Sequence, residues 1–134
     1  MSNRVLFYIN HQVNLLDLTG AIQVFHEANL FGCNYELVFI GPLPAIASCA
    51  GLGVNLITDF NKIKPEKGDI IMIPGFPLKQ PLVNDYSEFF SWLRIASQAQ
   101  AIICSICTGA FLLARSGLLD DKKCTTHWSC TDRL

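Results

Sequence analysis

The stretch Ser105-Ile106-Cys107-Thr108-Gly109 places a thiol where an apolar run ends and a helical one begins. A buried strand turning abruptly into a helix cramps the backbone at the turn and pushes that side chain into the open, the device by which nucleophiles are presented. A thiol at a helix start also meets unpaired N–H groups and the positive end of the dipole, which favour the thiolate. Gly109 leaves room for close approach on one side. The competing reading is a small core residue, as most free cysteines are. Strand, turn and helix together favour the presented thiol. Cys104 and Cys107 also spell C-x-x-C, a redox spacing. In such dithiols the cysteines open a helix, whereas Cys104 falls inside the apolar strand and is assigned to the core. Cys124, His127 and Cys130 suggest a zinc spacing, but three residues at a helix start rarely close a site. Neither a metal nor another cofactor is expected.

The elements that must position Cys107 follow from periodicity. Arg4–Ile9, Tyr35–Gly41, Asp69–Ile73 and Ala101–Ile106 are short apolar runs suited to buried strands. Ala21, Val24, Phe25 and Ala28 fall on one helical stripe, with Thr19 as its expected cap and Gly32 as its stop. Tyr86, Phe89, Phe90, Leu93 and Ala96 form a second stripe, with Asp85 and Glu88 spaced as a capping box. Thr108–Ser116 is a nearly all-apolar helix closed by Gly117. Between Pro42 and Asp59 the pattern predicts two short extended pieces around a Gly-Leu-Gly turn. Apolar strands alternating with helices imply right-handed crossovers and a parallel sheet covered on both faces. Sites in such sheets form beyond the carboxyl ends of the strands. The loops after Ile9, Ile73 and Ile106 carry the chemically interesting residues.

At 134 residues the chain reads as one domain spanning 1–134. Charged residues make up only 16%, well under the roughly 25% usual for soluble domains, which predicts extensive burial and an oligomer surface. A net charge of −1 without a basic cluster gives no footprint for nucleic acid. The apolar region from Ala101 to Leu119 is interrupted by polar residues and changes character at Cys107, so a strand turning into a helix explains it better than a membrane span. The amino terminus does not read as a signal peptide. The six cysteines are therefore expected to be reduced thiols in a cytosolic protein.

The run from Ser105 through Cys107, Thr108 and Gly109 to His127 and Trp128 resembles the turn-to-histidine segment of the ThiJ/PfpI superfamily, a glutamine amidotransferase-like group. It is most similar to the branch holding isonitrile hydratases and the amino-terminal domains of AraC-type transcription regulators. Leu16-Asp17-Leu18-Thr19-Gly20-Ala21-Ile22-Gln23-Val24-Phe25 is similar to that branch's Leu-Asp-Leu-Thr-Gly-Pro-x-Glu-Val-Phe. The resemblance implies a flavodoxin-like three-layer α/β sandwich with a mostly parallel sheet, usually a homodimer. It implies Cys107 as the family cysteine, His127 as its nearby histidine and Asp17 as the acidic partner of the thiol. It also implies Pro74-Gly75 as the loop whose backbone N–H, with Thr108, helps form an oxyanion pocket. His127 could act as base for Cys107, or it could be a capping or core histidine; Asp17 could be an acid–base group or simply initiate a helix. Phe76 stands where many relatives carry a second glycine, which narrows the expected pocket. The family pattern continues past the histidine with further strands and a helix, so the domain is expected to be C-terminally incomplete.

Two functions from different classes follow. The preferred one is the ligand-sensing and dimerisation domain of an AraC-type regulator, which Gln23-Val24-Phe25-His26-Glu27-Ala28-Asn29 resembles particularly well. The DNA-binding part would then lie outside these residues. The second is a cysteine-dependent enzyme resembling isonitrile hydratase, with Cys107 attacking an electrophilic carbon and Asp17 managing the proton, or a glyoxalase or deglycase using the same thiol. A stress-responsive thiol oxidised at Cys107 could accompany either. No ligand is identified by the residues.

Overall fold

The computed structural model describes residues 2–78 and 85–134. Four apolar segments form strands β1 (Arg4–Tyr8), β2 (Glu36–Gly41), β6 (Ile70–Ile73) and β7 (Ile102–Ser105). Between β2 and β6 lie a two-residue antiparallel hairpin, β3 (Ile46–Ala47) with β4 (Gly53–Val54), and a short edge strand, β5 (Thr58–Asp59). The main sheet runs β5-β2-β1-β6-β7, and every pair in it is parallel. Its four long strands follow the flavodoxin-like order, with β5 added outside β2. The chain is wound to one side of β1 and then returns to the other, so a switch point opens between the carboxyl ends of β1 and β6.

Alternation along the strands sends side chains to two separate cores. Leu6, Tyr8, Ile71 and Ile73 pack with Phe89, Trp92 and Leu93 of α2 (Ser87–Gln98) and with Leu112 of α3 (Ala110–Arg115). Tyr8 stacks on Phe89, ring centroids 3.6 Å apart. On the opposite face Val5, Phe7 and Ile9 pack with Leu18, Ile22 and Phe25 of α1 (Leu15–Leu30). The result is the expected three-layer α/β sandwich.

Two helix starts differ from the sequence expectation. Helix α1 begins before Thr19, because the Asn14 side chain accepts from the amides of Leu16 and Asp17 at 3.0 and 3.2 Å. Thr19 lies within the helix and donates instead to the Leu15 carbonyl. The buried stripe is rotated accordingly: Leu18 faces the core and Val24 is exposed. The helix does stop at Gly32, which takes the left-handed φ of 98°. At α2 the capping box does not form. Asp85 accepts from the Ser87 amide, but Glu88 reaches across to the Asn61 side chain.

Candidate functional site

The loops leaving β1, β6 and β7 converge at the switch point. Cys107 follows β7 with a φ of 55°, a left-handed conformation for a non-glycine residue, and opens a single 3-10 turn, Cys107–Gly109, that leads into α3. This is the sharp strand-to-helix turn that the sequence predicts. Gly109 serves it directly: a Cβ there would collide with the Ile73 carbonyl and sit 2.9 Å from the Pro74 carbonyl. The Thr126 hydroxyl donates to the Cys107 carbonyl at 2.8 Å and secures the turn from outside.

Asp17, Gly75, Cys107 and Thr108 are brought together. A Cβ on Gly75 would run into Asp17 Oδ2 and would lie 3.0 Å from Thr108 Oγ1 and 3.2 Å from Cys107 Cβ. The Gly75 N–H donates to Asp17 Oδ2 at 3.1 Å. An oxyanion role for that N–H would therefore compete with Asp17. Thr108 Oγ1 accepts from the Phe76 amide at 2.9 Å and donates to the Phe76 carbonyl at 2.7 Å, which pins the loop after β6 to the turn after β7. Asn14, in the loop after β1, performs the matching task on the other side. Its N–H donates to the Gly75 carbonyl at 2.8 Å while its side chain starts the helix carrying Asp17. An Asn followed by an acid within the first turn is the signal that could have revealed it.

The thiol does not behave as its position at a helix start suggests. Burial pushes the Cys107 pKa above the ordinary cysteine range; the Thr108 backbone N–H opposes this, and the Asp17 charge reinforces it. A hydroxyl carries one donor proton, and that of Thr108 goes to the Phe76 carbonyl. The backbone N–H is then the main counterweight, and hydrogen bonding to Asp17 adds to the rise. The expected depression of the thiol pKa is thus replaced by a rise.

His127 lines the same cavity as Cys107 but faces elsewhere. Its Nδ1 accepts from the Ser129 amide at 3.2 Å and lies 2.7 Å from the Ser129 hydroxyl. It caps the closing 3-10 turn Trp128–Arg133, and among the described residues it makes no hydrogen bond to Cys107. The cavity, about 350 Å³, is also lined by Asn14, Phe76, Thr108 and Arg133, and by two further cysteines, Cys49 and Cys130. Sequence spacing gave no indication that Cys49, on the β3–β4 hairpin, would reach it. Cys104 is half-buried in β7, a strand residue rather than a second helix-opening thiol. A larger cavity of about 660 Å³, bordered by Tyr8, Asn10, His11, Phe60 and Tyr86, shares no lining residue with the first and holds no thiol. Chemistry rather than size therefore selects the smaller one. No helix among the described residues is long and apolar enough to cross a membrane.

A doubly wound parallel sheet with a thiol, a carboxyl group and a hydroxyl gathered at its switch point defines a flavodoxin-like α/β domain with a candidate site centred on a cysteine. The chain belongs to the DJ-1/PfpI family, whose sequence profile matches residues 3–134. It is 32% identical to isonitrile hydratase of Pseudomonas putida over 134 residues, covering 100% of this chain and 56% of that protein. It is 27% identical to the HTH-type transcriptional regulator CdhR of Pseudomonas aeruginosa, covering 98% of this chain and 39% of the regulator. Its fold matches an AraC family transcriptional regulator from Pseudomonas putida with a TM-score of 0.78 at 22% identity, over 97% of this chain and 69% of that one. The chain thus spans little more than half of the hydratase and less than half of CdhR.

Proposed function

We propose that this domain is the ligand-sensing and dimerisation module of an AraC-type transcription regulator, with the Cys107 cavity as the ligand site. The surroundings of the thiol carry this preference over catalysis. The thiol has a raised pKa and no hydrogen bond to His127, and the Gly75 N–H is engaged by Asp17. Such a constellation suits recognition over repeated turnover, because the carboxylate beside the sulfur is engaged by the Gly75 N–H and raises the thiol pKa instead of lowering it. Similarity to CdhR and to the AraC family structure supports the same reading. DNA contact would fall to a separate domain, since this segment carries a net charge of −1. For dimerisation the support is α1, which leaves Leu16, Val24 and Leu30 more than 60% exposed. That apolar surface is suited to a second copy of the chain. Six free cysteines fit a reducing, cytosolic setting.

The second reading, a hydratase-like enzyme, is favoured by the placement of Asp17 and Thr108 beside Cys107 and by the identity to isonitrile hydratase. There Cys107 would be the nucleophile, Asp17 the acid–base group, and the Gly75 and Thr108 amides the oxyanion donors. Incubation with isonitriles and with methylglyoxal separates the two. The sensor reading expects no N-formyl amide or lactate above the level of a Cys107→Ala control. Cysteine-dependent turnover would transfer the assignment to the enzyme. Sedimentation of Val24→Glu is expected to show loss of the dimer with unchanged circular dichroism, and an unaltered dimer would remove α1 as the interface.

A further inference from the structure

The imidazole that does not reach Cys107 serves a different thiol. Cys130 Sγ lies 3.6 Å from Ser129 Oγ, and Ser129 Oγ lies 2.7 Å from His127 Nδ1. Because Nδ1 already accepts from the Ser129 amide at 3.2 Å, it carries no proton of its own in the neutral ring. The Ser129 hydroxyl must then donate to Nδ1, and its lone pairs are left to accept from the Cys130 S–H. The chain of hydrogen bonds runs in one direction, from Cys130 through Ser129 to His127. Thr126 ties this segment to the Cys107 carbonyl at 2.8 Å, and four residues later Cys130 lines the cavity that Cys107 lines. Cys49 lines it too, but it sits exposed on a hairpin with no base among its described contacts.

We propose that Cys130 is the resolving thiol for Cys107, so that the pair closes an intramolecular disulfide after oxidation by a hydroperoxide. In the first step the Cys107 sulfur takes one oxygen from the hydroperoxide, giving a sulfenic acid and releasing the alcohol, or water from hydrogen peroxide. Cys130 then passes its proton through Ser129 to His127 and attacks the Cys107 sulfur. The S–S bond forms as the S–O bond breaks, and the departing hydroxide regains that proton and leaves as water. A dithiol reductant restores both thiols and is itself oxidised to a disulfide. The proposal stands apart from the sensor reading: a single stoichiometric oxidation draws on the minor thiolate fraction that the raised pKa leaves at Cys107 and is slow for that reason, whereas turnover needs an activated thiol in every cycle. Both require that the Cys107 sulfur be reachable from the cavity.

The test is peptide mapping of the reduced native protein after treatment with one equivalent of hydrogen peroxide and alkylation. A Cys107–Cys130 linked peptide is expected. It should persist in Cys49→Ser. In Cys130→Ser it should be replaced by a Cys107 sulfenic acid trapped by dimedone. Ser129→Ala should slow closure by roughly an order of magnitude or more while leaving the rate of sulfenic acid formation unchanged, which a purely structural role would not do. A Cys107–Cys49 link, a link between two chains, or Cys107 sulfinate without any link would overturn the proposal. Parallel alkylation of Cys107 by iodoacetamide separates the failures. A sulfur that alkylates but never links removes this proposal alone, and one that does neither removes the ligand site as well.

Discussion

A left-handed backbone costs a non-glycine residue roughly 1–3 kcal/mol, so Cys107 must be held in place by its neighbours. The Ile106 amide continues the sheet ladder to the Ile73 carbonyl at 2.9 Å, and Thr126 holds the Cys107 carbonyl. The same enclosure that fixes the conformation also desolvates the sulfur, and Asp17 adds repulsion against a thiolate. Replacing Asp17 by Asn would retain an acceptor for the Gly75 N–H while removing the charge. Alkylation of Cys107 by iodoacetamide, followed peptide by peptide against pH, should therefore have its midpoint above that of an ordinary cysteine, near 8.5. In Asp17→Asn the midpoint should fall, with severalfold faster labelling at neutral pH. It should not reach the ordinary value, because burial is the larger cause. An unchanged midpoint would mean that the carboxylate does not act on the sulfur.

At the scale of elements, the cluster around Cys107 forms because three loops leave neighbouring strands at the switch point and lock onto one another. Asn14 joins the first loop to the second, and Thr108 joins the second to the third. The turn after β7 sits close against β6 because Gly109 lacks a side chain. Gly109→Ala puts a methyl group into two backbone carbonyls, and backbone cannot step aside as a side chain can. The expected cost is about 3 kcal/mol, the upper end for overpacking, read as a lowered denaturant midpoint. Because α3 would be pushed off the strand end, Cys107 should also become more exposed to alkylation. A stable variant with unchanged labelling would show that the turn has slack.

Across the whole molecule, one ion pair staples the start of the chain to the entry of β6. Arg4 donates to both oxygens of Asp69, at 3.0 and 2.7 Å, and the Glu66 amide adds a third donor at 2.7 Å. Asp69 has no exposed surface. Burial works to raise its pKa, but the Arg4 guanidinium and the Glu66 amide outweigh it and hold the carboxyl below the usual range. A depressed folded-state pKa stabilises the fold above the unfolded value, near 3.9, and the contribution is lost as pH falls through the folded value. Arg4→Met should destabilise the protein at neutral pH by roughly 3 kcal/mol, the lower end for stranding a buried charge, since Arg4 itself is partly exposed. The deficit should narrow as the solution is acidified below about pH 4, where the stranded carboxyl is protonated in both states. A deficit independent of pH would assign the effect to packing.

Apolar runs of β-branched and aromatic residues made β1, β2, β6 and β7 legible, and with them the parallel sheet. The turn at Cys107 was legible for the same reason, since a strand, a turn and a helix are contiguous in the chain. What the residues could not disclose is which side chain answers which. Glu88 bonds to Asn61 instead of its own helix start, Asn14 rather than Thr19 begins α1, and His127 serves Ser129 while lining the cavity of Cys107. Periodicity records which face of an element is buried, because burial acts on every turn or every second residue. The pairing of groups from separate loops, and the sign of the shift at Cys107, depend on distances set only when the crossovers bring those loops to one end of the sheet.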